Sequence, residues 1–298
     1  MTTNLLALET SGRSGSVALA KSTESLVGLR ESIGSDWSLP GRCLKILTER
    51  LEILSLDLDP TWGSAKTLAP AIQKLLAQDG LSPKDLHAIA VVQGPGSFTG
   101  LRVGIATAKV MAYALQIPIV AIDTLEVIAQ QVSDSRTEPD SPTEPDSPTV
   151  PGSPTVPGSQ SLDLFAVADA FRGQSFWAKY RIGAGECLET TRTRIDDNTW
   201  LAQELSVQDP SGCIAVAGPS LEKLRDCYRE IPSAQSQRAL DTSPLVWEPK
   251  QYGEPRASTV ARLGWRAWLR NQTVEPFGLL PMYYRSSAAE EKLSSGPS

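Results

Sequence analysis

The sequence predicts an α/β protein assembled twice over: two lobes of order βββαβα, each with a mixed sheet, and a cleft between them. Three observations predict it. Residues 1–133 and 162–298 each open with three consecutive strand-like segments and then alternate helix and strand. Between them, residues 134–161 carry a six-residue repeat with too few large apolar side chains to build a core. The 298 residues, 41% hydrophobic and 21% charged, suffice for two modest cores.

In the first lobe, Asn4 to Glu9 and Ser16 to Ala20 flank a Gly/Ser-rich turn, Thr10 to Gly15, and read as a hairpin. A third strand is expected near Leu26 to Glu31. Leu44, Leu47, Leu51 and Leu54 recur at helical spacing, as do Leu68, Ile72, Leu75 and Leu76, so two amphipathic helices are expected. Ala88 to Val92 is a buried strand. Leu101 to Gln116 is helical in length and apolar nearly all round, and a strand at Ile117 to Ile122 and a helix at Thr124 to Val132 complete the lobe.

The segment 134–161 repeats Thr-Glu-Pro-Asp-Ser-Pro from Thr137 and again from Thr143, then decays. Prolines remove backbone donors and forbid helix, so an extended, disordered linker is expected. A proline-motif ligand role is the lesser alternative. Beyond it, strands are expected at Leu162 to Ala168, Gln174 to Arg181 and Cys187 to Ile195, then a helix at Thr199 to Leu205. The strand Cys213 to Ala217 and helices Pro219 to Tyr228 and Ser258 to Asn271 follow.

Composition excludes several functions. No apolar run approaches the length that crosses a bilayer, and the N-terminus has no basic region followed by a long apolar one, so a cytoplasmic protein without membrane contact is expected. Cys43, Cys187, Cys213 and Cys227 form no CxxC pair, which fits a reducing compartment and neither a zinc ribbon nor a disulfide framework. The single histidine, His87, stands at the mouth of a strand and reads as a surface or strand-edge residue rather than a catalytic base. Of the net charge of −6, the linker accounts for −4 with five acids against one base. The rest is nearly neutral, with small clusters such as Arg262, Arg266 and Arg270, so unaided nucleic-acid binding is not expected.

Two glycine-bearing turns remain. In Glu9-Thr10-Ser11-Gly12-Arg13-Ser14-Gly15, hydroxyls and successive amides could cradle a phosphate, or the turn could be an ordinary polar hairpin. Gln93-Gly94-Pro95-Gly96-Ser97-Phe98-Thr99-Gly100-Leu101-Arg102 joins a buried strand to a helix. There Ser97 or Thr99 can cap the helix, and its N-terminus can face an anion. It has neither the Walker ending nor dinucleotide spacing, so a rigid strand-to-helix junction stays open beside the phosphate reading. Thr10, Ser11, Gly12, Gly94, Gly96, Ser97, Thr99 and Gly100 are the phosphate or nucleotide candidates.

These residues carry a resemblance. Leu6 to Ser11 with Ser16 to Leu19, Gly94 to Gly104 running into Ala108-Lys109, Thr124-Leu125-Glu126, Asp169 to Gln174 and Pro281 to Arg285 are similar to the bacterial TsaB (YeaZ) family of tRNA threonylcarbamoyladenosine biosynthesis proteins. The resemblance implies the actin/hexokinase/Hsp70-type (ASKHA) fold. It implies a non-catalytic scaffold that forms a heterodimer with TsaD, works with the ATPase TsaE, reaches tRNA only through the complex and forms a homodimer when alone. No cofactor is required by the chain itself, and ATP or ADP would sit at an interface of the complex.

Several positions depart from the family pattern. Glu9 stands where Asp is usual. Ser64-Ala65-Lys66-Thr67-Leu68-Ala69-Pro70 replaces a helix with a histidine at the Ser64 position, and Arg42 to Trp62 reads as an insertion. TsaD's metal-binding HxxxH corresponds to Thr124 and Ile128, so neither a metal site nor peptidase chemistry is expected, and Ile128 reads as core. The alternative function is an ATP-dependent phosphotransferase or ligase using Glu9 or Asp169. For the heterodimer, the helix Leu101 to Leu115 is the candidate interface, through Arg102, Gly104, Ala108, Lys109 and Ala112, where small residues permit close helix approach. A helix buried inside its own domain fits the same pattern.

Overall fold

Alternating apolar runs bounded by glycine-rich turns fold here into two sheets of one topology. The structure, a computed structural model, describes residues 2–22, 51–137, 161–183, 186–207, 213–232 and 245–284. Packing divides the chain into two compact units, Met1–Thr124 with Arg256–Ser298, and Leu125–Pro255.

In the first unit, β1 (Thr3–Glu9) and β2 (Ser16–Ser22) form the expected antiparallel hairpin, with Leu6 opposite Leu19 and Glu9 opposite Ser16. β4 (Ala88–Gly94) lies parallel to β1, β5 (Ile119–Asp123) parallel to β4, and β3 (Glu52–Asp57) antiparallel to β2. The sheet order is β3-β2-β1-β4-β5. The middles of its central strands, Leu5 to Leu8, Val17 to Ala20 and Ala88 to Val92, are unbroken apolar runs because both faces are covered. α1 (Ser64–Gln78) lays Leu68, Ile72, Leu75 and Leu76 on one face, beside α2 (Phe98–Leu115) with Ile105, Ala108 and Ala112. Each fully buried leucine contributes roughly 1.5–3 kcal/mol. The other face receives α7 (Ala257–Leu269), where Gly264 lets the helix backbone close on Ala90.

β3 overturns one expectation. Leu51 precedes it and Leu54 lies within it, where a helix was expected. Leu54 and Leu56, two residues apart, both pack on the first core, and β2 offers a free edge for pairing. Period two with a waiting partner wins over period 3.6 without one. Part of the stretch read as an insertion is therefore the third strand of the meander. The strand expected at Leu26 to Glu31, and Leu44 and Leu47, lie outside the described residues.

The second unit repeats the design. β6 (Leu162–Asp169), β7 (Gln174–Gly183) and β8 (Glu186–Asp197) form an antiparallel meander, and β9 (Cys213–Ala217) lies parallel to β6. α4 (Asn198–Ser206) and α5 (Leu221–Arg229) pack on Phe165, Val167 and Trp177. β10 (Leu245–Trp247) and the one-turn α6 (Lys250–Gly253) are too short to announce themselves by periodicity. The order β10-β9-β6-β7-β8 is the first sheet's order, third-second-first-fourth-fifth, read from the other end. The expected duplication is real.

The units do not follow the expected boundaries at 133 and 162. α3 (Thr124–Thr137) packs Leu125, Ile128, Ala129 and Val132 on the second sheet, and Arg136 pairs with Glu248 of the same unit. α7, far along the chain, belongs to the first. Apolar faces choose their sheets regardless of chain order. α3 also runs to Thr137, into the stretch expected to be linker, and residues 138–160 lie outside the described ones.

Candidate functional site

The two glycine-bearing turns meet each other. Beyond β1, Glu9 is fully buried and its Oε1 accepts from the Ser11 amide at 2.7 Å and from Ser11 Oγ at 2.5 Å, folding the turn back on itself. The Ser11 carbonyl in turn accepts the Ser97 amide at 2.7 Å. Ser97 caps α2, its Oγ accepting from the Gly100 amide at 3.3 Å. A Cβ on Gly96 would stand 2.6 Å from the Ser11 oxygen, and one on Gly100 or Gly104 would run into the Thr10 carbonyl or hydroxyl. Gly96, Gly100 and Gly104, four residues apart, are thus a track along which Thr10 and Ser11 lie.

This geometry decides what several candidates do. Thr10, Ser11, Gly96, Ser97 and Gly100 are brought together, with the Ser97 and Gly100 amides and the Ser11 hydroxyl already engaged within the two turns. Gly94 has φ +123°, and the Met282 carbonyl lies 3.1 Å from where its Cβ would be. Gly12 is half-buried at the hairpin tip and Thr99 is exposed in the first turn of α2. The small residues chosen as a partner-facing stripe point the other way: Gly104 receives Thr10, while Ala108 and Ala112 are buried in the first unit's core. Three small residues on one helix permit close approach, and the approach they serve is internal.

α2 nonetheless has an outward face. Phe98, Arg102, Ala106, Val110 and Tyr113 follow one another at three- and four-residue steps, all exposed, with Val110 at 69% and Tyr113 at 59%. The segment Val274 to Tyr284 runs beside it. The Arg102 guanidinium lies 3.8 Å from the Phe98 ring and donates through Nε to Tyr283 Oη at 2.9 Å. Lys109 Nζ donates to the Leu279 carbonyl at 3.1 Å and the Phe277 carbonyl at 3.4 Å. The rings of Tyr113 and Phe277 meet edge to face at 5.4 Å. Of the expected interface residues, Arg102 lies on this face and Lys109 ties the neighbouring segment to it. Sequence reasoning gave Phe277 and Leu280 no role, because a Gly/Pro-interrupted stretch shows no period; the run of large apolar side chains there was the available signal.

His87 and Ile128 fall where the sequence puts them. His87 is a strand-edge residue: its Nδ1 accepts from the Asn4 amide at 3.2 Å and its own amide donates to the Asn4 carbonyl at 2.9 Å. Ile128 is fully buried in the second core. Among the described residues, no group of three His, Cys, Asp or Glu could hold a metal ion, and no helix is long and apolar enough to cross a membrane. Asp169 accepts from Lys223 Nζ at 2.6 Å and from the Phe171 amide at 3.0 Å. That carboxylate fixes a hairpin tip in which Phe171 and Arg172 take left-handed backbone angles of 59° and 53°. Between β9 and α5, Gly218-Pro219-Ser220 repeats the Gly94-Pro95 turn, again with a positive φ, 139°, and with a serine just before the helix.

Two sheets of one topology, each entered by a hairpin and closed at a glycine-proline turn, are the framework of the actin, hexokinase and Hsp70 class, and this chain has that fold. YeaZ from Pseudomonas aeruginosa matches it with a TM-score of 0.61 at 22% identity, over 94% of this chain and 99% of that one. Residues 63–147 match the family model described as TsaD, tRNA N6-adenosine threonylcarbamoyltransferase. The tRNA threonylcarbamoyladenosine biosynthesis protein TsaB of Bacillus subtilis is 47% identical over 226 residues, covering 75% of this chain and 80% of the relative. Its Escherichia coli counterpart is 24% identical over 76% and 82%. The chain belongs to the TsaB family, and its role lies in tRNA threonylcarbamoyladenosine biosynthesis.

Proposed function

We propose that this chain is a non-catalytic scaffold that docks TsaD through the outward face of α2, in the cytoplasm, and contacts tRNA only through that complex. The observation that carries the reading is the solvent-facing stripe Phe98, Arg102, Val110 and Tyr113, which is apolar beyond what the isolated unit needs. The match of residues 63–147 to the transferase family supports it, since a partner with the same helix presents a similar apolar surface. Both carboxylates that a phosphotransferase would use are committed locally, Glu9 to Ser11 and Asp169 to Lys223. The reading includes TsaE as a further member, ATP or ADP held at an interface of the complex, and self-association of the chain when TsaD is absent.

Titration of purified TsaD with the wild-type chain and with Val110→Asp tests it. Central interface truncations cost about 2 kcal/mol or more, roughly thirtyfold in Kd. Val110→Asp is expected to lose at least that much while keeping its circular dichroism. Unchanged affinity overturns the docking face, and steady ATP turnover by the pure chain would favour the phosphotransferase instead.

A further inference from the structure

The segment Val274 to Tyr284 crosses α2 as a strap. It is held at both ends and in the middle. The Val274 amide donates to the Ile119 carbonyl at 2.9 Å, the Met282 amide donates to the Gln93 carbonyl at 2.8 Å, and Leu279 is inserted into the first unit's core at 3% exposure. Lys109 holds the middle through the Phe277 and Leu279 carbonyls. Between these anchors the strap turns its large apolar side chains to solvent: Phe277 is 73% exposed and Leu280 68%, with Met282 and Tyr283 beside them. The segment is fixed through its backbone and one inward leucine, and the edge contacts of Phe277 with Tyr113 and of Tyr283 with Phe98 and Arg102 still leave most of the Phe277 and Leu280 side chains in solvent. The strap's exposed side chains are contiguous with α2, since Tyr113 meets Phe277 and Phe98 lies 5.2 Å from Tyr283.

We infer that the strap is the second wall of the site that receives TsaD, with Lys109 as the positioning residue that sets it; this rests on the docking role proposed above. Two observations fix the kind of partner. α2 carries Arg102 and Lys109 and no acid between Phe98 and Leu115, and Lys109 is occupied by carbonyls, so the exposed charge that α2 itself presents is the Arg102 guanidinium, with Glu275 exposed at the far end of the strap. The matching surface is therefore an apolar helix with a carboxylate opposite Arg102. Residues 63–147, which contain α2, match the TsaD family, so that subunit carries a helix of the same kind.

The test uses the full chain, purified TsaD and three variants, Phe277→Asp, Leu280→Asp and Lys109→Met, with Lys109→Arg as the conservative control. Phe277 and Leu280 are exposed, so both aspartates are expected to leave the fold intact, with at most a small fall in melting temperature where Phe277 leaves Tyr113, and to raise Kd at least tenfold. Lys109→Met is expected to speed amide exchange in residues 277–282 and weaken binding, and Lys109→Arg to restore both. In the wild-type complex the same amides are expected to be protected. If Val110→Asp loses binding while both strap aspartates bind as wild type, the strap inference is overturned and the docking face stands. A wild-type chain that does not bind TsaD overturns both. Strap variants that alter only self-association assign the strap to a second copy of this chain, which also overturns the inference.

Discussion

The Ser97 amide donates to the Ser11 carbonyl at 2.7 Å, and through that bond the strand-to-helix turn and the hairpin turn of the first unit become one structure. The glycines around it exist to let two backbones touch. Several consequences are open to measurement.

Gly100→Ala and Gly104→Ala are expected to destabilise by about 3 kcal/mol or more, because each new methyl meets Thr10, and at Gly100 the obstacle is a backbone carbonyl. Chemical denaturation against wild type measures it. Thr99→Ala, in the same helix turn but exposed, is the control and should change little.

Thr10 Oγ1 is buried and has no hydrogen-bond partner among the described residues. Replacing the hydroxyl by a methyl removes a desolvated polar atom at nearly constant shape, so Thr10→Val should be neutral or stabilising by up to about 1 kcal/mol. A Tm that falls by several degrees would give the hydroxyl a structural role.

Ala108→Glu and Ala112→Glu should unfold the first unit rather than merely release a partner. Both alanines are buried among aliphatic side chains, where a carboxylate has no compensating group. Circular dichroism should show loss of structure in both, against a folded Val110→Asp.

Burial works against the charge on Asp163, but hydrogen bonds from Arg181 and Lys179 more than offset it, so its carboxyl titrates below the ordinary carboxylate value. A depressed folded-state pKa contributes stability above the unfolded-state value of about 3.9, and that contribution fades as pH falls through the folded-state value. Asp163→Asn should therefore be less stable than wild type at neutral pH. The gap should narrow below about pH 4, as read from denaturation midpoints across that range.

Strands such as β1, β4 and β6 are legible in the sequence because they are continuous apolar runs between turn residues, and α1 because Leu68, Ile72, Leu75 and Leu76 mark one face without ambiguity. β3 is not: Leu51 and Leu54 satisfy a helical spacing, and only the free edge of β2 settles the matter. The glycine loop announces a close approach but not its object. Gly104, Ala108 and Ala112 would look the same whether they received a partner or Thr10 and the sheet. Direction along a helix that is apolar nearly all round is information that only packing supplies.

The exchange of terminal helices between the halves has a consequence for how the chain can be cut. α3 follows the first sheet in sequence yet packs with the second unit, and α7 comes from the far end yet covers the first. A protease nick anywhere in residues 138–160 would leave an N-terminal fragment whose sheet lacks its covering helix and a C-terminal fragment lacking α3. Each piece would expose an apolar sheet face when made separately, and co-expression of the two should rescue solubility by fragment complementation. The duplicated halves are for this reason not modules that recombination could shuffle one at a time.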